Sequence, residues 1–162
     1  MDTLSHALWG RGVFGYRGYP LSSIFFGILP DLFSFGIFYI FSLFSNFSNL
    51  KYGKPEIDEL PNYIFDLYNI SHSLIIALVF ILITYFFLKK EFVFAMLAWP
   101  LHILIDFPFH SIEYFPTPIF WPISDFKFDG IPWSVNYVWY SNVAGIVLLY
   151  FYRYRAKKKS SL

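Results

Sequence analysis

The chain has 162 residues, enough for one domain, with 57% hydrophobic, 25% aromatic and only 14% charged residues. A net charge of +1 is not basic enough for a nucleic-acid surface, and the absence of cysteine excludes disulfides, thiolate metal ligands and a cysteine nucleophile. Such a composition reads as all-α and integral to a membrane, and any bound metal must be held by histidine and carboxylate.

In chain order, Asp2 or Thr3 can cap a short helix over residues 4–9, which Gly10, Gly12, Gly15 and Gly18 should break up. Too short to span, this segment is expected at the interface or re-entrant, carrying His6 into the bundle. The opening residues lack a basic stretch before an apolar core, so no cleaved signal peptide is expected. Four long apolar stretches follow, at residues 21–44, 70–88, 92–109 and 131–152, each near the roughly 20 residues that cross a bilayer core. The expectation is therefore a polytopic protein of about four transmembrane helices, with residues 1–152 as one membrane domain and 153–162 as a basic cytoplasmic tail.

Four passes would put Arg11, Arg17, Lys89, Lys90, Arg153, Arg155 and Lys157 to Lys159 on the cytoplasmic side with both termini, in the cell membrane. The loops around residues 47–69 and 110–130 would face outward, with Lys51, Lys54 and Lys127 against Glu56, Asp58, Glu59, Asp66, Glu113, Asp125 and Asp129. The last span carries Asn136, Ser141 and Asn142, suited to hydrogen bonds between helices. The proline-rich stretch Pro116-Thr117-Pro118-Ile119-Phe120-Trp121-Pro122-Ile123-Ser124-Asp125 is expected to be an ordered aromatic outer loop that can act as a lid.

Chemistry gathers on the acidic residues inside apolar stretches. Pro30-Asp31 should interrupt the first long helix about halfway along, beside a cavity. Asn69 or Ser71 should cap the second, with His72 in its first turn. His102 and Asp106 lie four apart on one helix face, and Pro108 should end that helix and let His110 swing back toward them. An aspartate buried there is costly unless paired or coordinated. With only four histidines in the chain, His6, His72, His102 and His110 join Asp31 and Asp106 as six candidate ligands of the nitrogen and oxygen type that suits zinc, manganese or iron. The residues leave three readings open: a divalent metal site, a proton or ion relay in a transporter, and a structural hydrogen-bond network. No zincin, phosphate-loop or nucleophile-elbow motif is present.

The blocks Asp2-Thr3-Leu4-Ser5-His6-Ala7-Leu8, Leu29-Pro30-Asp31, Ser71-His72-Ser73-Leu74, His102-Ile103-Leu104-Ile105-Asp106, Pro116-Thr117-Pro118 and Trp121-Pro122-Ile123-Ser124 resemble the membrane-bound metal-dependent hydrolases, the YdjM-like proteins, in order from residue 2 to about residue 134. The resemblance implies His6, Asp31, His72, His102 and Asp106 as ligands. More loosely, the ligand order is similar to that of the zinc-dependent phospholipase C and single-strand nuclease class. Many relatives carry an acidic residue where this chain has Phe33 and a histidine where it has Leu67; His110, Asp66 or Glu113 can stand in. The function expected is metal-dependent hydrolysis of a phosphoester or lipid-linked ester drawn from membrane lipid, with Asp31 as the base that takes the proton of water.

Overall fold

Asp2 starts the fold as the sequence predicts: its carboxylate accepts from Ser5 N at 2.8 Å and from Ser5 Oγ at 2.6 Å, capping helix α1, Thr3–Phe14. In the computed structural model, which describes residues 1–45 and 55–160, seven further helices follow and no strand is found among those residues. They are α2 (Pro20–Asp31), α3 (Ile37–Ser45), α4 (Asn62–Ser71), α5 (Leu74–Tyr85), α6 (Lys90–Met96), α7 (Ala98–Asp106) and α8 (Asn136–Ser160).

Gly10 and Gly12 do not break α1, contrary to expectation. They let backbones touch. A Cβ at Gly10 would lie 2.5 Å from Ser23 O, and one at Gly27 would lie 2.7 Å from His6 O, so α1 and α2 cross with their glycines in the contact. The reversal between them is a 3₁₀ turn at Gly15–Arg17 closed by Gly18, whose φ of +96° suits a residue without Cβ. At Pro30-Asp31 the α-helical ladder is interrupted as expected: α2 ends at Asp31 and a π-helical turn at Leu32–Gly36 leads into α3, while the Pro30 carbonyl accepts from Ser34 Oγ at 2.9 Å and Ser71 Oγ at 3.2 Å.

The four-span expectation fails on helix length. The apolar stretch at residues 70–88 is divided at His72, where α4 and α5 meet at 55°, and the stretch at 92–109 is divided at Leu97 into α6 and α7. With seven and nine residues, α6 and α7 extend only ~10 and ~14 Å against a ~30 Å hydrocarbon core. Helix α8 has 25 residues, but its tyrosines, asparagines and basic last turn keep it outside the same test. Among the described residues one helix, Pro20–Phe44, is long and apolar enough to cross a membrane, and α4 with α5 would add a second only as a bent pair. A four-pass topology with both termini on one side therefore does not follow. Lys51 and Lys54, which entered that charge count, lie outside the described residues.

Other boundaries also move. The expected outer loop at 47–69 contains most of α4, and Ser73, not Asn69 or Ser71, caps α5 by accepting from Ile76 N at 3.2 Å. His72 thereby sits at the end of α4 and not in a first turn. Pro100, in the first turn of α7, needs no partner for its nitrogen. The expected outer loop at 116–125 divides: Thr117, Pro118 and Ile119 are buried, with Leu74 N donating to Ile119 O at 3.1 Å and Ser73 Oγ to Trp121 O, while Phe120 and Pro122 to Asp125 are exposed. Asn142 does join helices, donating to Ser5 Oγ at 2.7 Å and accepting from Trp9 Nε1 at 2.8 Å. Two apolar clusters frame the interior, one around Ile81, Met96, Trp99 and Ile103, the other around Ile64, Tyr68 and Phe115.

Because the Gly27 Cβ would press on backbone, Gly27→Ala should lower stability by about 1–3 kcal/mol. Gly36→Ala should be near neutral, since its Cβ meets the flexible Leu32 side chain first, at 3.3 Å. Thermal melts of both variants in detergent test this; equal midpoints would contradict the tight α1–α2 crossing.

Candidate metal centre

Asp106 ends α7 with 1% exposure, and the fold directs imidazoles at it from three other segments. The α1–α2 crossing delivers His6, whose Nε2 lies 2.9 Å from Asp106 Oδ1. On the other oxygen, Oδ2, His102 Nε2 stands at 3.3 Å, His110 Nε2 at 3.4 Å and His72 Nε2 at 3.9 Å. The Met1 amino group also lies against Oδ1. Asp31 closes the group from α2: its Oδ1 is 3.7 Å from His102 Nε2 and 3.9 Å from His72 Nε2, while its Oδ2 accepts from Thr3 Oγ1 at 2.6 Å.

Asp31, His72, His102 and Asp106 each offer one ligand atom, all within 4.8 Å of one another, and together they could hold a metal ion. His6 reaches the group through Asp106, and His110 follows the end of α7 much as Pro108 predicts. Asp66 and Glu113, the other possible substitutes, are exposed.

The histidine tautomers follow from their outer contacts. His102 Nδ1 is 2.7 Å from Gly27 O, His72 Nδ1 is 3.3 Å from Tyr68 O, and His110 Nδ1 is 2.9 Å from Phe115 O. A carbonyl only accepts, so Nδ1 of His102 and of His110 carries a proton and donates it outward, whereas His72 Nδ1 also lies 3.0 Å from the Ser71 hydroxyl. In the neutral ring Nε2 of His102 and of His110 then presents a lone pair inward. His72 and His102 Nε2 face each other at 3.3 Å, and His110 Nε2 is buried without a hydrogen-bond partner. Three Nε2 atoms and two carboxylates thus converge, with the Met1 amino group and His6 against Asp106 and Thr3 Oγ1 against Asp31, a donor set in which His72, His102, Asp31 and Asp106 could hold a metal ion. His6 differs, since donation from Nε2 to Asp106 leaves its Nδ1 buried without a partner.

Electrostatics agree with a cation-seeking group. Burial holds the His6 pKa down at about 4 despite the pull of Asp106, so its ring is neutral at pH 7. Burial works against the charge of Asp106, but His6, the Met1 amino group, His102 and His110 outweigh it and keep that carboxyl well below its ordinary range. Burial also opposes charge on His102, yet Asp106 and Asp31 together raise its pKa, so a proton competes for the position a metal ion would take.

Residue reasoning misses the outer layer. Tyr68 stacks on His72 with ring centroids 3.8 Å apart, and Thr3, Gly27 and Phe115 supply bonds that orient ligand-type side chains. The one legible signal is spacing: Tyr68 precedes His72 by one helical turn. Beside the group lies a cavity of about 800 Å³ with Asp31 and His110 at its polar end and Phe35, Tyr39, Tyr114 and Trp133 among its walls.

No family model, curated protein or solved structure matches the chain. Among the described residues, fold and site define an all-helical arrangement with one helix apolar enough to cross a membrane and a His/Asp group that could hold a metal ion.

Asp106→Asn keeps the shape of the side chain while removing its charge and one acceptor. Elemental analysis should find bound divalent metal in the wild type and less than about a tenth of it in the variant, because Asp106 is the one group every imidazole approaches. Thr3→Val, which only frees Asp31, should weaken binding by about 10- to 100-fold. Equal metal content in all three proteins would contradict the assignment.

Proposed function

We propose that the chain is a membrane-associated, metal-dependent hydrolase acting on a phosphoester or lipid-linked ester, in keeping with its resemblance to the YdjM-like membrane hydrolases. The observation that carries it is the convergence of His72, His102, Asp31 and Asp106, whose ligand atoms all lie within 4.8 Å of one another. His72, His102, Asp31 and Asp106 would hold the ion, with His6 and His110 as outer or additional ligands. Nitrogen and oxygen donors without sulfur suit zinc, and manganese or iron as alternatives. A bound divalent ion supplies Lewis acidity at an ester or phosphoryl oxygen and makes water nucleophilic near neutral pH.

The chain's own residues divide the remaining work. Asp106 is sealed, whereas Asp31 keeps 16% of its side chain exposed and borders the cavity, so Asp31 is the carboxylate able to meet water. Asp31 takes the proton as the water oxygen bonds to phosphorus or the acyl carbon. The ester bond to the leaving alcohol then breaks, and the proton passes to the departing oxygen. Walls of Phe35, Tyr39, Tyr114 and Trp133 favour a substrate with a large apolar part.

Membrane association is supported by what the helices leave outside. Only 22% of the apolar window in Pro20–Phe44 is buried, and on α5 and just beyond it Leu82, Ile83, Phe86 and Phe87 are 54–81% exposed. Exposed apolar surface on this scale requires lipid or a partner.

The test is turnover of a chromogenic phosphodiester and of phospholipid by the purified full chain. Activity should vanish with chelator and return with zinc or manganese, and His102→Ala should lose at least about 10³-fold in kcat/KM. Unaltered turnover in that variant would refute the proposal. Proton flux in proteoliposomes that needs no metal would put an ion relay through the same His/Asp group in its place.

A further inference from the structure

Three helices run between the His/Asp group and one end of the bundle. Helix α2 starts at that end with Pro20 and reaches the group at Asp31, while α5 leaves the group two residues after His72 and ends at Tyr85. With 12 residues each, both rise ~16 Å from first to last residue, about half of a ~30 Å hydrocarbon core. Helix α8 covers the same interval from Asn142, bonded to Ser5 beside His6, to Arg153, bonded to Gly12 O. Too short to cross a bilayer, α2 and α5 have the depth of one leaflet.

Over that depth these helices carry no charge. Residues 20–30, 74–88 and 136–152 contain no aspartate, glutamate, lysine or arginine. Leu78, Val79, Leu82 and Ile83 on α5 and Val147 and Leu148 on α8 are 48–67% exposed. Helix α5 packs chiefly on α6 and α7, and α8 packs on α1, so the bare faces look out past different neighbours. A folded partner with one interface would cover one such face, whereas hydrocarbon covers both.

The chemistry changes at the end of the slab. The start of α6, the turn before α2 and the last turns of α8 meet there: the Tyr19 and Phe92 ring centroids are 5.5 Å apart, Arg17 Cζ is 4.1 Å from the Phe94 ring and Arg153 Cζ is 4.0 Å from that of Tyr16. Tyr85, Tyr152 and Tyr154 are exposed at this end, as are Lys89, Lys90 and Arg155. Tyrosine mixed with lysine and arginine at the rim of an uncharged apolar band is the composition of a headgroup boundary. The cavity beside Asp31 continues along Leu32, Phe35 and Tyr39, away from this rim.

We propose that the slab formed by α2, α5 and α8 is embedded in one leaflet of a lipid bilayer, with the turn from Tyr85 to Lys90 at the headgroups. The His/Asp group then lies ~16 Å beneath them, and its cavity opens on the side opposite the rim. This placement rests on the membrane association proposed above and not on the hydrolase chemistry.

Because the chain has no cysteine, single cysteines can carry a reporter without background. Phe87→Cys, Leu82→Cys, Leu78→Cys and Leu148→Cys, all at exposed positions, are labelled with a nitrobenzoxadiazole fluorophore, and the full chain is reconstituted into vesicles of phosphatidylcholine and phosphatidylglycerol. Flotation of the vesicles reads association, and quenching by lipids bearing a nitroxide on the headgroup or midway along the acyl chain reads depth. The label at position 87 should be quenched about twofold more by the headgroup nitroxide. The label at position 78, ~10 Å below the end of α5, should show the reverse preference by about twofold, with position 82 between them. Position 148 should also be quenched by the acyl-chain nitroxide. Protein that floats with the vesicles but gives equal profiles at positions 87 and 78, or labels at 78 and 148 that respond only to aqueous iodide, overturns the placement and leaves membrane association standing. Quenching at position 78 that fades as the ratio of protein to lipid rises would put a second copy of the chain on α5, and overturns it too. Failure to float overturns both. Should Leu78→Cys melt early, Val79→Cys one position further along the same exposed stretch gives the same readout.

Discussion

A carboxylate with 1% exposure cannot stay ionised among apolar side chains without compensation, and the structure answers that cost at Asp106 by surrounding it with imidazoles. Those imidazoles are themselves committed. His102 and His110 point Nδ1 at backbone carbonyls and Nε2 toward Asp106, which also meets the Met1 amino group. The interior of the protein is therefore arranged around a buried carboxylate ringed by nitrogen groups, where a metal ion could be held. Core packing around Trp99 and Ile103 on one side, and Tyr68 and Phe115 on the other, holds the group in place.

Helix crossing is what makes the group possible. Residues on α1, α2, α7 and the α4–α5 corner must converge to within a few ångströms, and small residues permit it. His6 O would be 2.7 Å from a Cβ at position 27, and Gly27 O is the acceptor that fixes His102, so one glycine serves both the backbone approach and the ligand's orientation. His6 and His102 rings stack with centroids 3.5 Å apart as a result. Trp99 adds a strut by donating from Nε1 to Ser71 O at 2.7 Å, tying α7 to the corner that carries His72.

Much of the site was legible in the residues and less of the fold. His102 and Asp106 announce themselves by a one-turn spacing, and Asp31 by lying in an apolar run next to proline, because buried charge is rare enough to stand out. All six candidate residues lie in or against one group. Helix breaks were harder. A run such as residues 92–109 is uniformly apolar, and nothing in hydropathy marks the stop at Leu97, which local backbone geometry decides. Position 72 illustrates the same limit: Ser71-His72-Ser73 looks like a helix start, and it is one only from Ser73, because Ser71 Oγ is engaged by Pro30 O and by the ring of His72. Carbonyl partners such as Gly27 O and Phe115 O leave no trace in side-chain type, so the outer layer was invisible until backbones were placed.

X-ray absorption at the edge of zinc bound to the full chain probes the central claim without recourse to activity. The account predicts a first shell of nitrogen and oxygen at about 2.0–2.2 Å, free of sulfur, with outer-shell scattering from at least two imidazole rings. A zinc shell of oxygen alone, without imidazole scattering, would contradict it, as would a protein that retains no stoichiometric metal at neutral pH.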